Sequence, residues 1–262
     1  MKKILAFALV CVLALALVAC GETAVETTEA VVETTAAPVE TTEAPVETTA
    51  APVETEAAVA VMSYAEYDAA ELDTPVVIEA YVQATQSWWD NKITVYVADE
   101  DGAYFIYEMA CSEEDAAKLT AGTKIRVTGY KGAWAGEVEV MDATFEFAGE
   151  DTFVAEPVDV TALLGTEDLI KHQNQLVAFK GVMIEAIEYK NGEPGDDIYV
   201  TVNYQGASYS FCVERYLTGP DTDVYKAVMA LNAGDFVDVE GFLYWYEGVN
   251  THITAVSVVD EK

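Results

Sequence analysis

From about residue 62 onward, apolar and polar positions alternate in short runs. "VVIEAYV" from Val76, "ITVYVAD" from Ile93, "YFIYEMA" from Tyr104, "KIRVTGY" from Lys124 and "VEVMDATFEF" from Val138 are rich in Val, Ile, Tyr and Phe. This is the period of half-buried strands. Asp99-Glu100-Asp101-Gly102 lies between the second and third runs, where a hairpin turn belongs. "SEEDAAKL" from Ser112 separates the third and fourth. Its Ser cap and first-turn acids predict a short helix. The pattern therefore predicts three strands, a helix and two strands.

The same order recurs. "LTAGTKIRVTGYKGAWAGEVEVMDATFEF" from Leu119 aligns with "LNAGDFVDVEGFLYWYEGVNTHITAVSVV" from Leu231 without a gap. Gly129 falls on Gly241, Gly136 on Gly248 and Ala143 on Ala255. Upstream, Val76–Tyr81 resembles Leu176–Val182, and "GPDTDVYKAVMALNAG" supplies a longer helix. The body is a duplication with a period of about 110 residues. Three strands, a helix and two strands is the order of the OB-fold, a five-stranded Greek-key barrel. "AGTKIRVTGY" and "AGDFVDVEGF" resemble the fourth strand of OB-folds in bacterial extracytoplasmic proteins. The expected fold is mainly β: two tandem OB-like barrels at 62–148 and 156–262, each with a helix between its third and fourth strands, joined by "AGEDTFVAEP". Such a resemblance implies architecture and carries no activity.

The alternation is absent before residue 62. Lys2 and Lys3, an apolar run from Ile4 to Val18 and a small-residue end predict a signal peptide over 1–19. Leu17-Val18-Ala19-Cys20 resembles the lipobox of bacterial lipoproteins. That resemblance implies cleavage before Cys20, lipid on its sulfur, and a chain tethered at the extracytoplasmic face of a bacterial membrane, at a Gram-positive cell surface. Residues 20–61 carry repeats beginning at Pro38, Pro45 and Pro52, dominated by Thr, Glu, Ala and Val. This composition predicts a disordered spacer. At about 3.1 Å per residue in polyproline II, it would reach on the order of 120 Å.

Candidate chemistry sits on the loops. An OB-fold binds ligands across strands two and three, flanked by the 1–2 and 4–5 loops. Trp88, Trp89 and Trp134 fall on those loops of the first repeat, and Tyr189, Tyr244, Trp245 and Tyr246 on those of the second. Either these rings stack a ligand, or they pack between the domains.

The chain has 13 basic and 46 acidic residues, a formal net charge of -33. In the first repeat only Lys92 and Lys131 are placed to approach the binding face. Nucleic acid, which OB-folds hold in a positive groove, is therefore disfavoured as a partner. Neither Asp99-Glu100-Asp101-Gly102 nor Gly195-Asp196-Asp197 has calcium-loop spacing. His172 reads as polar and His252 as a surface or edge residue, with no nucleophile and base around either. No catalytic, metal or cofactor site is expected. Cys111 and Cys212 read as buried thiols rather than a bridge.

The sequence thus points to a membrane-anchored, non-enzymatic module recognising a glycan or protein ligand through its aromatic loops. A single-stranded nucleic-acid binder and a purely structural subunit are the alternatives.

Overall fold

The computed structural model describes residues 60–260. The expected signal peptide, the lipid site at Cys20 and all but the last two residues of the spacer lie outside the described residues.

The first five strands close into a barrel. They are β1 (Pro75–Thr85), β2 (Lys92–Ala98), β3 (Ala103–Ala110), β4 (Lys124–Trp134) and β5 (Glu137–Phe147), in the order β1-β2-β3-β5-β4. Neighbours run antiparallel except β3 and β5, which pair in parallel through Phe105–Glu139 and Ile106–Val140. Val76, Ile78, Ile93, Val95, Val97, Ile106 and Ile125 fill the interior. The second sheet holds β6 (Val158–Asp159), β7 (Leu176–Tyr189), β8 (Ile198–Tyr204), β9 (Ala207–Val213), β10 (Phe236–Phe242) and β11 (His252–Val259). Its order is β10-β11-β9-β8-β7-β6, and β10 pairs also with β7. Five of its strands therefore repeat the pairings of the first barrel. Its own core includes Val177, Phe179, Ile184, Phe211, Val228 and Val239.

Among the described residues three α-helices punctuate the strands. Helix α2 (Glu113–Ala116) is capped by Ser112, whose Oγ accepts from the Asp115 amide, and buries no side chain. Helix α3 (Asp223–Met229) is capped by Thr222 and buries Tyr225 and Val228. Helix α1 (Tyr64–Ala69) precedes the first strand and was not expected. Ser63 and Glu66 form a capping box at its start. Its Tyr67 enters the first core and meets Tyr104 edge-on, ring centroids 4.8 Å apart.

Lys131, expected near a binding face, is instead buried. Its Nζ donates to the carbonyls of Tyr67, Asp68 and Ala70 at 2.9, 2.7 and 2.9 Å. A cation there satisfies orphan carbonyls at the helix end and complements its dipole.

The two sheets share a third apolar cluster. Tyr96 on β2 and Phe105 on β3 pack with Phe242, against Leu176, Leu217 and Tyr244. His252 lies beside this cluster rather than on a surface. It is 6% exposed, its Nδ1 is 2.8 Å from Tyr96 Oη, and its ring stacks on Tyr244 at 4.4 Å. The start of β11 faces the first barrel, not solvent. Burial pushes the His252 imidazole down to about 4, so the ring is neutral.

The β4–β5 hairpin locks into the same seam. Gly136 has φ +99°, and a Cβ there would sit 2.7 Å from Trp245 Cδ1. The Glu247 amide donates to the Ala135 carbonyl at 2.7 Å, and Gln173 Nε2 to the Gly136 carbonyl at 2.9 Å.

Candidate functional site

Both faces of β2 are buried. Ile93, Val95 and Val97 point into the first core, while Tyr96 meets the second sheet. The strand 2–3 face expected to take a ligand is thus largely covered by the chain's own second half. One end of it stays open. There a cleft of about 730 Å³ is lined by Trp88, Trp89, Lys92, Thr94, Tyr107 and Glu108 of the barrel, and by Arg215 and Tyr216 from the segment between β9 and α3.

Each element of this cleft has a local cause. Residues 86–91 connect β1 to β2 and turn through Asp90 and Asn91, both at positive φ, a conformation that Asn and Asp tolerate. The turn leaves Trp89 78% exposed. Trp88 is half-buried, and its Nε1 donates to the Cys111 carbonyl at 2.9 Å. The connection is tied to the second sheet because the Ser87 amide donates to the Tyr216 carbonyl at 2.8 Å.

On β3, Val95 pairs with Ile106 and Ile93 with Met109, so Tyr107 and Glu108 together oppose Thr94. This is a β-bulge, which re-aims side chains. Glu108 sits at φ 45°, and its amide donates to Thr94 Oγ1 at 3.1 Å. The bulge leaves two successive side chains exposed.

The charges are paired but accessible. Lys92 Nζ lies 2.7 Å from Glu108 Oε2, and Tyr107 Oη donates to Glu108 Oε1 at 3.1 Å. The Lys92 hydrogen bond holds the Glu108 carboxyl below its ordinary value, and the Glu108 hydrogen bond raises the Lys92 ammonium. Arg215 lies over the Tyr216 ring at 5.1 Å, with its Nη1 3.7 Å from Asp196. Beside it, burial pushes the Glu214 carboxyl up to about 7, although it accepts from the Tyr216 and Leu217 amides. A second cleft of about 400 Å³ also uses Lys92, Tyr107 and Glu108 and extends to Met141–Thr144 on β5.

The remaining aromatic candidates do not join this cleft. Trp134 is 63% exposed at the end of β4, and Tyr246 is 51% exposed. Trp245 and Tyr189 are half-buried against the second core, and Tyr244 packs at the seam. The rings thus divide between exposed positions, Trp89, Trp134 and Tyr246, and packed ones, Tyr189, Tyr244 and Trp245. Tyr107, Glu108, Arg215 and Tyr216 were missed. The signal for the first two was Glu108 at a position that strict alternation would turn inward.

Among the described residues no group of three or more His, Cys, Asp or Glu could hold a metal ion. Cys111 and Cys212 are both free and buried.

No family model matches the chain, and no curated protein matches it. The matches are to solved structures. One is a murine DNA-binding protein bound to double-stranded DNA, 13% identical, covering 72% of this chain and 96% of that one at a TM-score of 0.35. Another is an Ifi202 HINa domain in complex with a 20-base-pair duplex, 12% identical, covering 73% of this chain and 97% of that one at 0.34. A replication protein A heterotrimer bound to single-stranded DNA is 11% identical, covering 74% of this chain and 51% of that one at 0.32.

The expectation that nucleic acid is disfavoured is withdrawn, because it rested on net charge alone. The physical reason lies in scale. Net charge belongs to the whole molecule, whereas binding responds to the charges at the site, and Lys92 and Arg215 both line the cleft.

Proposed function

We propose that residues 62–148 and 156–262 are two OB-like units forming a non-catalytic binding module, and that the cleft takes single-stranded nucleic acid. The observation that carries this reading is the convergence of Trp89, Tyr107 and Tyr216 with Lys92 and Arg215 on one cleft at the open end of the strand 2–3 face. Stacking rings beside cations is the combination that single-stranded binders use, with about 1–3 kcal/mol per stacked base. A neutral sugar would use the rings and leave the cations without a role.

The site is small, and both cations are partnered by acids. Stacking therefore dominates over phosphate contact. With at most two phosphates neutralised, the slope of log affinity against log salt is about -1.4 or shallower. The lipobox resemblance at Cys20 supports placing this module at the outer face of a bacterial membrane.

Titration of the full chain with single-stranded 12-mers, followed by tryptophan fluorescence, tests the reading. Saturable quenching with a shallow salt slope supports it. Binding of neutral oligosaccharides with no response to oligonucleotides overturns it in favour of a glycan site.

A further inference from the structure

Resting on that reading of the cleft, we propose that Glu108 is a base-selecting residue that makes the site prefer cytosine over thymine or uracil. The bulge opposite Thr94 places a ring and a carboxylate on consecutive positions, Tyr107 and Glu108, both exposed on the same cleft. A base stacked on Tyr107 therefore brings its edge toward the neighbouring carboxylate.

That carboxylate is held in place. Its backbone amide is tied to Thr94 Oγ1, one oxygen meets Lys92 Nζ, and the other accepts from Tyr107 Oη. Its pairing with Lys92 lowers its pKa, so it is ionised at neutral pH and can only accept. A carboxylate has about four acceptor sites, and these two partners leave room for another donor.

Cytosine offers its N4 amino group, and a carboxylate accepting from it is an established pairing geometry. Thymine and uracil present O4 at the equivalent position, an acceptor facing an acceptor. A free donor of Lys92 turned to O4 would still leave that oxygen facing the carboxylate, whereas cytosine N4 meets an acceptor. The preference for cytosine thus arises both from a hydrogen bond gained and from a repulsion avoided. The exposed rings of Trp89 and Tyr216 stack any base and add no discrimination.

The test compares oligo-dC and oligo-dT 12-mers on the full chain and on Glu108→Gln and Glu108→Ala, with circular dichroism to show that the variants keep the fold. The proposal expects wild-type protein to bind oligo-dC on the order of tenfold more tightly. In both variants the ratio falls to about one, because glutamine can donate to O4 as well as accept from N4 and alanine does neither. Equal wild-type affinities for the two oligomers, or a preference surviving in both variants, overturn the role of Glu108 and leave the cleft reading standing. Binding of neither oligomer overturns both.

Discussion

Tyr96 on β2 stacks face to face on Phe242 of β10, with ring centroids 4.2 Å apart and planes 8° from parallel. Both side chains are buried. The face that an isolated OB-like barrel would offer to a ligand is here filled by the second half of the chain, and one end of it stays open. Phe242→Ala removes the ring at the seam. Truncating a buried Phe costs about 3–5 kcal/mol, so chemical denaturation should show a loss of that size. A loss below about 1 kcal/mol would mean that the sheets do not depend on this contact.

The seam also contains a pH response. Glu137 is fully buried, accepts from the Trp245 amide at 2.8 Å through Oε2, and has the Asn174 side chain beside it. Burial raises its pKa from 4.5 to about 8. Glu214 is raised from 4.5 to about 7. Between pH 4.5 and those values the native chain holds protons that the unfolded chain has released, so stability is lost as pH rises. His252, lowered from 6.5 to about 4, acts in the opposite sense. Its contribution is complete above pH 6.5 and is lost as pH falls through 4. Between pH 6.5 and 8 the two carboxyls dominate, and stability should drop by up to a few kcal/mol over that range. Glu137→Gln keeps an acceptor for the Trp245 amide and should flatten that fall. Thermal unfolding of both proteins at pH 6.5 and 8 checks this, and equal slopes would refute it.

Lys131 supports α1 rather than a ligand. Lys131→Met leaves three carbonyls without their shared donor. The cost is about 2 kcal/mol or more. Hydrogen exchange in residues 64–70 should accelerate before the rest of the barrel loosens, and unchanged protection there would exclude the cap.

Much of the strand framework was readable because alternation at period two is a local property. "VVIEAYV" and "KIRVTGY" became β1 and β4. The Ser112 cap was equally local. Helix α1 had a readable signal in Ser63 and Glu66, hidden by its position against the acidic spacer. The seam was not readable. Phe242 and His252 look like ordinary strand positions, and their burial follows from how two sheets dock. The cleft lay between these cases. Trp88 and Trp89 announced one wall, but Arg215 and Tyr216 come from a segment about 125 residues away and meet it only in the folded chain.

The anchor is tested outside the folded body. Cys20→Ser in the producing cell should abolish incorporation of a labelled fatty acid and block lipoprotein-specific cleavage. Labelling that persists in the variant would exclude Cys20 as the lipid site.

The most direct test of the cleft is the affinity for a single-stranded 12-mer in wild-type protein and in Trp89→Ala, Tyr107→Ala and Tyr216→Ala, read by fluorescence anisotropy of a labelled oligomer. Each ring removed should weaken binding by about 1–3 kcal/mol, roughly fivefold to 150-fold. Trp134→Ala, whose exposed ring lies away from the cleft, should leave affinity unchanged. Undiminished binding by the three cleft variants, or a loss confined to Trp134→Ala, would contradict the assignment.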